Sequence, residues 1–321
     1  MLNTVNEIAA LLKDTFLAQR EIIVLDAPDC DLTALAIQIN QGEIFEAWQL
    51  LRSHVSTTQR WPVVVATWNW DGQQRDWPTD MADANFLDRQ AFRGEHAQTQ
   101  IAHYLPDTII ARSQDVDLDA FLAEEAANQR RLVDAHVLKE DIDYEIGNIP
   151  EQFDRSSIQS QLLSSVDRNE LQSTLDLEKW LLDWEIAHGI GIAPPMEEEG
   201  YLSWYEPDSE QSLALNLLPT VNSWESVVYL HWYGSESAGS ETVTAFLKRW
   251  HQRYGAELVC HYGTMLQLVV NKKPATLWEA FDLAWEQTAI APCTTLLPGI
   301  SLRNHARELM ACDRWFLHER P

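Results

Sequence analysis

The N-terminal part of the chain alternates apolar and polar residues with the periods of short helices and strands. Thr4 and Glu7 stand three residues apart, which is the capping-box pattern that begins a helix. The elements predicted by apolar spacing are a helix at 5–16, a strand at 21–25, a helix at 44–55 and a strand at 61–70. This succession predicts an α/β or α+β domain over residues 1–150.

The middle of the chain is acidic and lacks the alternation of strands. The elements predicted there are helices at 115–138 and 176–188 and a loop at 141–157. Gly189 stands where a glycine commonly ends a helix. Two prolines and a run of glutamates at 193–200 oppose packing, so we expect a helical and linker segment over 151–207.

The last third of the chain gives the clearest pattern. The predicted elements are strands at 213–218 and 227–232, a helix at 243–254, a hairpin at 256–270, helices at 277–285 and from 301, and a strand at 315–317. Within the hairpin, a loop at 262–264 collects the apolar residues of both strands on one face, which favours it over a two-residue loop. Residues 208–321 are therefore predicted to form a separate domain.

The predicted fold class is α+β with two domains. The C-terminal domain should have a mixed or antiparallel sheet with helices packed on it, because strands and helices follow one another at short intervals. We also expect Trp250 and Trp285 to lie in its core, on the sheet-facing sides of their helices.

Composition adds a strong negative charge. The 321 residues include 49 Asp and Glu against 23 Lys and Arg, a formal net charge of -26. Such a field repels nucleic acids and anionic membrane surfaces, and it either maintains solubility or attracts a basic partner. The chain has no apolar run long enough to span a bilayer, and its four scattered cysteines form no CxxC pair, so we expect a cytoplasmic protein with reduced cysteines.

Established catalytic motifs are absent from the sequence. It contains no GxSxG, P-loop, HExxH or GxGxxG motif, and its ten histidines lack the spacing of a metal site. We therefore predict neither a metal nor a cofactor, and we assign no catalytic residue.

The C-terminal pattern resembles a bacterial family defined as domain of unknown function 4253. The residues that carry the resemblance are Trp250, 253–258, 273–276, Ala284, 286–287 and 315–316. Three stretches depart from the family pattern: 234–237, 290–294 and 315–318. The second of them lacks the acidic residue that the family pattern has there. The resemblance implies a fold for this third of the chain and implies no activity.

Two groups of residues are candidate binding sites. Glu279, Asp282 and Glu286 share the helix face opposite the apolar stripe, where they form either an ordinary solvated face or a surface for a basic partner. The second group draws on the 14 tryptophans, most of which we expect in the core. The candidate residues for an aromatic pocket are Trp224, His231, Trp68 and Trp70.

These observations favour a non-catalytic cytoplasmic binding or interaction protein that acts on a basic protein partner, in an immunity-like or regulatory role. The alternative is an enzyme whose site lies between the domains and is lined by tryptophans. Neither hypothesis identifies a specific ligand.

Overall fold

The computed structural model describes residues 1–26, 31–66, 106–190, 206–207, 212–230 and 232–320. The strands are β1 (Ile22–Asp26), β2 (Thr33–Ile39), β3 (Trp61–Ala66), β4 (Leu213–Leu218), β5 (Glu257–His261), β6 (Met265–Val269) and β7 (Arg314–His318). The longer helices are α1 (Val5–Leu12), α2 (Ile44–Ser53), α3 (Pro106–Ser113), α4 (Leu118–Leu132), α5 (Ala135–Asn148), α6 (Arg155–Asp167), α7 (Thr174–Ala187), α8 (Ser240–Tyr254), α9 (Leu277–Ile290) and α10 (Leu302–Ala311).

Local sequence signals explain where several helices begin and end. The Thr4 hydroxyl accepts a hydrogen bond from the Glu7 amide at 3.3 Å, and the Glu7 carboxylate accepts one from the Thr4 amide at 2.9 Å, so the predicted capping box is confirmed. Gly255 ends α8 with a positive φ of 63°, a conformation that glycine adopts without steric cost. Helix α9 begins after Thr276, whose hydroxyl accepts from the Glu279 amide at 3.1 Å.

One mixed sheet joins the two ends of the chain. The strand order is β1-β2-β4-β3-β5-β6-β7, in which β3 and β5 are parallel and the other pairs are antiparallel. The predicted α+β class with helices packed on a sheet is confirmed. The prediction that residues 208–321 contain a separate sheet is wrong, because β4 lies between β2 and β3 of the N-terminal segment.

Helices cover both faces of this sheet. On one face, the rings of Trp250 and Tyr254 in α8 lie 6.3 and 5.4 Å from the ring of Trp315 in β7. On the other face, the Arg52 guanidinium of α2 donates from Nε to Glu257 of β5 at 2.8 Å. The sheet and these helices therefore share one large core, which contains Trp250 as predicted.

Helices α5, α6 and α7 pack on each other around a second, smaller core. Its buried members include Leu138, Ile142, Leu162, Leu177 and Leu181. The predicted loop at 141–157 is too long: α5 continues to Asn148 and α6 begins at Arg155, so the connection is confined to 149–154. The apolar residues of this stretch are spaced for a helix, but acidic residues between them concealed the pattern.

Two further predictions in the strand regions need correction. The strand predicted at 227–232 is wrong for the described part of that range, because Ser226–Tyr229 is a single helical turn. A short run of buried apolar residues is compatible with either structure, and periodicity alone cannot separate them. Strand β2 was not predicted at all.

The β5–β6 hairpin combines the two registers that were considered. Leu258 pairs with Leu268, as the three-residue loop requires, whereas His261 pairs with Leu266, as a two-residue loop requires. An irregularity between Leu258 and Cys260 inserts one extra residue and connects the two registers. The apolar pattern could not fix the register because both faces of these strands are buried.

Candidate functional site

The three predicted carboxylates on α9 do not form one exposed face. Glu286 is only 3% exposed. Its carboxylate accepts from Trp250 Nε1 at 2.6 Å and from the Arg249 and Arg253 guanidinium groups at 3.0 and 3.4 Å. The expectation that Glu286 faces solvent is therefore wrong, because α8 packs over this part of α9 and supplies its partners.

The other two carboxylates of that group lie in an open depression. Its lining residues are Gln252, Arg253, Lys272, Glu279 and Asp282. Two cations therefore stand beside the two carboxylates, so this part of the surface carries little net charge. Glu279 also has a structural role, since its carboxylate accepts from the Ala275 amide at 2.7 Å at the start of α9.

The predicted aromatic pocket falls mainly outside the described residues. Trp68, Trp70 and His231 are among the positions that the structure does not describe. Trp224 is half-buried, and its ring centroid lies 4.7 Å from that of His251. The prediction that Trp285 lies in the core is wrong: this ring is half-buried and lines a cavity.

That cavity lies between two groups of helices: the helical unit, by which we mean α4, α5, α6 and α7, and the pair α9 and α10, which connect β6 to β7. It has a volume of about 500 Å³. One wall comes from α4, α5 and α7, and the other from α9, the turn that follows it and the start of α10. Its apolar lining includes Leu175, Leu177, Trp285, Leu296 and Ile300.

The polar groups that line this cavity are acidic or neutral. Asp141, Glu145 and Glu178 contribute carboxylates, and no Lys or Arg is among the described lining residues. Gln129 also lines the cavity, and its buried Oε1 accepts no hydrogen bond within the described part of the chain. The cavity therefore offers mainly hydrogen-bond acceptors, which suit a ligand group that donates.

The carboxylates of Glu145 and Glu178 both accept hydrogen bonds from the guanidinium group of Arg303 in α10. Arg303 Nη1 donates to Glu178 at 2.6 Å, Nη2 to Glu145 at 2.7 Å, and Nε to Glu185 at 3.1 Å. Arg307 also donates to Glu185. Three carboxylates thus share two guanidinium groups in a buried cluster, which leaves one negative charge in excess.

Burial and charge together change the acidity of Glu178. The residue is only 5% exposed, and burial disfavours the ionised form of its carboxyl group. Arg303 opposes this effect, whereas the carboxylates of Glu145 and Glu185 reinforce it. The result is a pKa raised to about 7. Glu178 therefore changes its charge near neutral pH.

A smaller cavity of about 250 Å³ adjoins the first one. The two share Tyr144, Glu145, Gly299 and Ser301 in their linings. Its lining includes Trp184, whose ring stacks on His188 with a centroid distance of 4.4 Å. Together the two cavities form one cleft, which we call the Glu178 cleft and define by the residues that line them.

One signal in the sequence points to the Glu178 cleft. Glu178 stands among apolar residues of α7, and Arg303 and Arg307 stand four residues apart around the buried Ala306 of α10. A charged residue at a position that the helical period assigns to the core needs a buried partner. That signal shows that partners exist, but it does not show that residues far apart in the sequence supply them.

Two further properties bear on the classes of site considered above. No helix among the described residues is long and apolar enough to cross a membrane. Within the same part of the chain, no group of three or more His, Cys, Asp or Glu side chains is arranged to hold a metal ion.

Comparison with known proteins gives a family match for the C-terminal third of the chain. No curated protein and no solved structure matches this chain. The wall of the Glu178 cleft that contains Trp285 and Ser301 belongs to the C-terminal third, whereas the wall that contains Glu178 precedes it. Residues 214–318 match the family described as "Domain of unknown function (DUF4253)", which confirms the resemblance of the C-terminal third to that family.

Proposed function

We propose that this protein is a binding protein for a basic protein partner, and that a lysine or arginine side chain of the partner occupies the Glu178 cleft. The observation that carries the proposal is the lining of the larger cavity: three carboxylates, an unpaired amide oxygen and apolar walls. The carboxylates and the oxygen suit an ammonium or guanidinium group, and the walls suit its aliphatic stem.

The overall charge supports the same partner. A net charge of -26 attracts basic proteins over distances that a single contact does not reach. Long-range attraction alone does not select a binding position, and the depression at Glu279 and Asp282 already contains Arg253 and Lys272. The Glu178 cleft provides the local selectivity, because its carboxylates outnumber its guanidinium groups.

The test uses calorimetry with a defined probe, a blocked lysine-glycine peptide, and an otherwise identical glutamine-glycine peptide as the neutral control. We expect the lysine peptide alone to bind. At about pH 8, Asp141→Asn and Glu178→Gln should each weaken binding about tenfold, which corresponds to about 1.4 kcal/mol. Both substitutions preserve side-chain shape and an oxygen acceptor.

Matched controls remove the same charge elsewhere. Asp183 lies on the exposed side of α7, and Asp282 lies in the open depression on α9. Asp183→Asn and Asp282→Asn should change the affinity less than twofold, as expected for solvent-exposed charges (about 0.4 kcal/mol or less). If they weaken binding as much as Asp141→Asn does, the surface field binds the peptide and the cleft is not the site.

A second candidate function is catalysis in the same cleft. Its support is Glu178, because a carboxyl group with a pKa near neutrality in a cavity suits general acid–base chemistry. This candidate predicts a small molecule that the protein converts, with activity lost in Glu178→Gln. Loss of activity combined with unchanged binding of the lysine peptide would favour the enzyme over the binding protein.

A cytoplasmic location is part of the same proposal. It is supported by Cys260, Cys293 and Cys312, which are free thiols rather than disulfide partners. Fractionation of the native host tests it, and recovery from an extracytoplasmic fraction would contradict it.

A further inference from the structure

We propose that Glu178 carries a proton until a cationic group binds in the cleft and then releases it, so that ligand binding is coupled to proton release. This inference rests on the proposed function, because it concerns the same site and the same class of ligand. It adds a regulatory property, which is that the cleft binds its partner more tightly as the pH rises through neutrality.

The arrangement of charges around Glu178 carries the argument. Helix α10 contributes Arg303 and Arg307, helix α5 contributes Glu145 and Asp141, and α7 itself contributes Glu185. Arg303 contacts all three glutamates of the cluster, and Glu185 also has Arg307. The three glutamates therefore outnumber the two guanidinium groups by one, and Asp141 adds a further carboxylate to the cavity lining.

A buried excess charge is costly, and a proton on one carboxylate removes it. Glu178 is the best position for that proton because it is the most deeply buried of the three glutamates, with side-chain exposure of 6% against 12% for Glu145 and 14% for Glu185. Burial is also the largest cause of its raised pKa. His305, on the same helix as Arg303, does not titrate near neutrality, since burial lowers its pKa to about 3.

An incoming ammonium or guanidinium group supplies the positive charge that the cluster lacks. The O–H bond of the Glu178 carboxyl then breaks, its electron pair stays on the carboxylate, and the proton goes to solvent. The ligand cation takes the place of that proton in the charge balance. Below neutral pH the ligand competes with the proton, so the apparent affinity falls as the pH falls.

The experiment measures calorimetric binding of the blocked lysine-glycine peptide to the full chain at about pH 6, 7 and 8. We expect an affinity about tenfold lower at pH 6 than at pH 8, as competition with one proton near pH 7 requires. Repeating the pH 7 titration in buffers with different ionisation enthalpies should show about half a proton released per peptide bound.

Glu178→Gln provides the matched control. The glutamine side chain resembles the protonated carboxyl group and cannot release a proton. This variant should bind the peptide with the weak affinity of the wild type at pH 6, and its affinity should not change with pH. Asp183→Asn, on the exposed side of the same helix, should keep the pH dependence of the wild type.

The outcomes separate the two proposals. Equal wild-type affinity at pH 6 and pH 8, without proton release, would overturn the proton coupling and leave the binding function intact. A pH dependence that persists in Glu178→Gln would assign the proton to another group and would also overturn the inference. Absence of peptide binding at every pH would overturn both proposals.

Discussion

At the scale of single residues, burial decides the role of each carboxylate more than its helical position does. Glu279, Asp282 and Glu286 have the spacing of one helix face, yet Glu286 is enclosed by Trp250, Arg249 and Arg253 while Asp282 is exposed. Helical periodicity predicts which residues point in the same direction. It does not reveal that α8 covers the end of this face that contains Glu286.

We expect this difference to appear in stability. Glu286→Ala removes the carboxylate that pairs with Arg249 and accepts from Trp250, and it should lower the free energy of unfolding by about 3–5 kcal/mol. Asp282→Ala should change it by less than about 0.5 kcal/mol, because an exposed carboxylate has weak partners. Urea unfolding measures both variants. Equal effects would show that Glu286 is not enclosed as the structure describes.

Glu178 should also make stability depend on pH. Its pKa is raised from 4.5 to about 7 in the folded protein, so the folded state binds the proton more tightly than the unfolded state does. The Glu178 contribution to stability is therefore fully present below about pH 4.5 and is lost as the pH rises to about 7. We expect the difference in unfolding free energy between wild type and Glu178→Gln to follow this curve, with a size of a few kcal/mol. A difference that is constant from about pH 5 to pH 8 would contradict it.

At the scale of elements, the sequence predicted most of the helices and strands that have local signals. The side chains of Thr4, Thr276 and Ser301 cap the helices that follow them, and Gly255 caps the end of α8, so short sequence motifs specify these boundaries. Strand pairing was not predictable in this way. Strand β4 is apolar at nearly every position, which indicates an inner strand but does not identify its neighbours.

The position of β4 reverses the expectation that residues 208–321 fold alone. In the full chain, β4 pairs with β2 through Leu35–Leu217 and with β3 through Val64–Leu215. A fragment that begins at residue 208 lacks both neighbouring strands and exposes both edges of β4. We expect it to show no cooperative thermal transition by circular dichroism, whereas the full chain shows one. A cooperative transition in the fragment would mean that β5, β6 and β7 suffice for a stable sheet.

At the scale of the whole molecule, the candidate site depends on contacts that the sequence separates widely. Glu145 and Glu178 lie more than one hundred residues before Arg303, and their carboxylates meet only because α10 packs on the helical unit. The net charge follows from composition, so it was predictable, and the proposal of a basic partner starts from that charge. The location of the site was not, because it requires the tertiary arrangement of α5, α7 and α10.

The two contributions to binding, the overall field and the Glu178 cleft, should separate in kinetic measurements. The field acts before contact, so it should accelerate association of the lysine-glycine peptide, and raising the salt from about 50 to about 500 mM should slow association several-fold by screening. The cleft acts after contact, so Glu178→Gln should increase the dissociation rate about tenfold and leave association nearly unchanged.

Surface plasmon resonance or stopped-flow measurements give both rates, with Asp282→Asn as the control that removes one charge from the field only. That control should slow association slightly, because it removes one of 49 acidic residues, and it should leave dissociation unchanged. If Glu178→Gln changes only the association rate, Glu178 contributes to the field alone. The partner would then contact another part of the acidic surface.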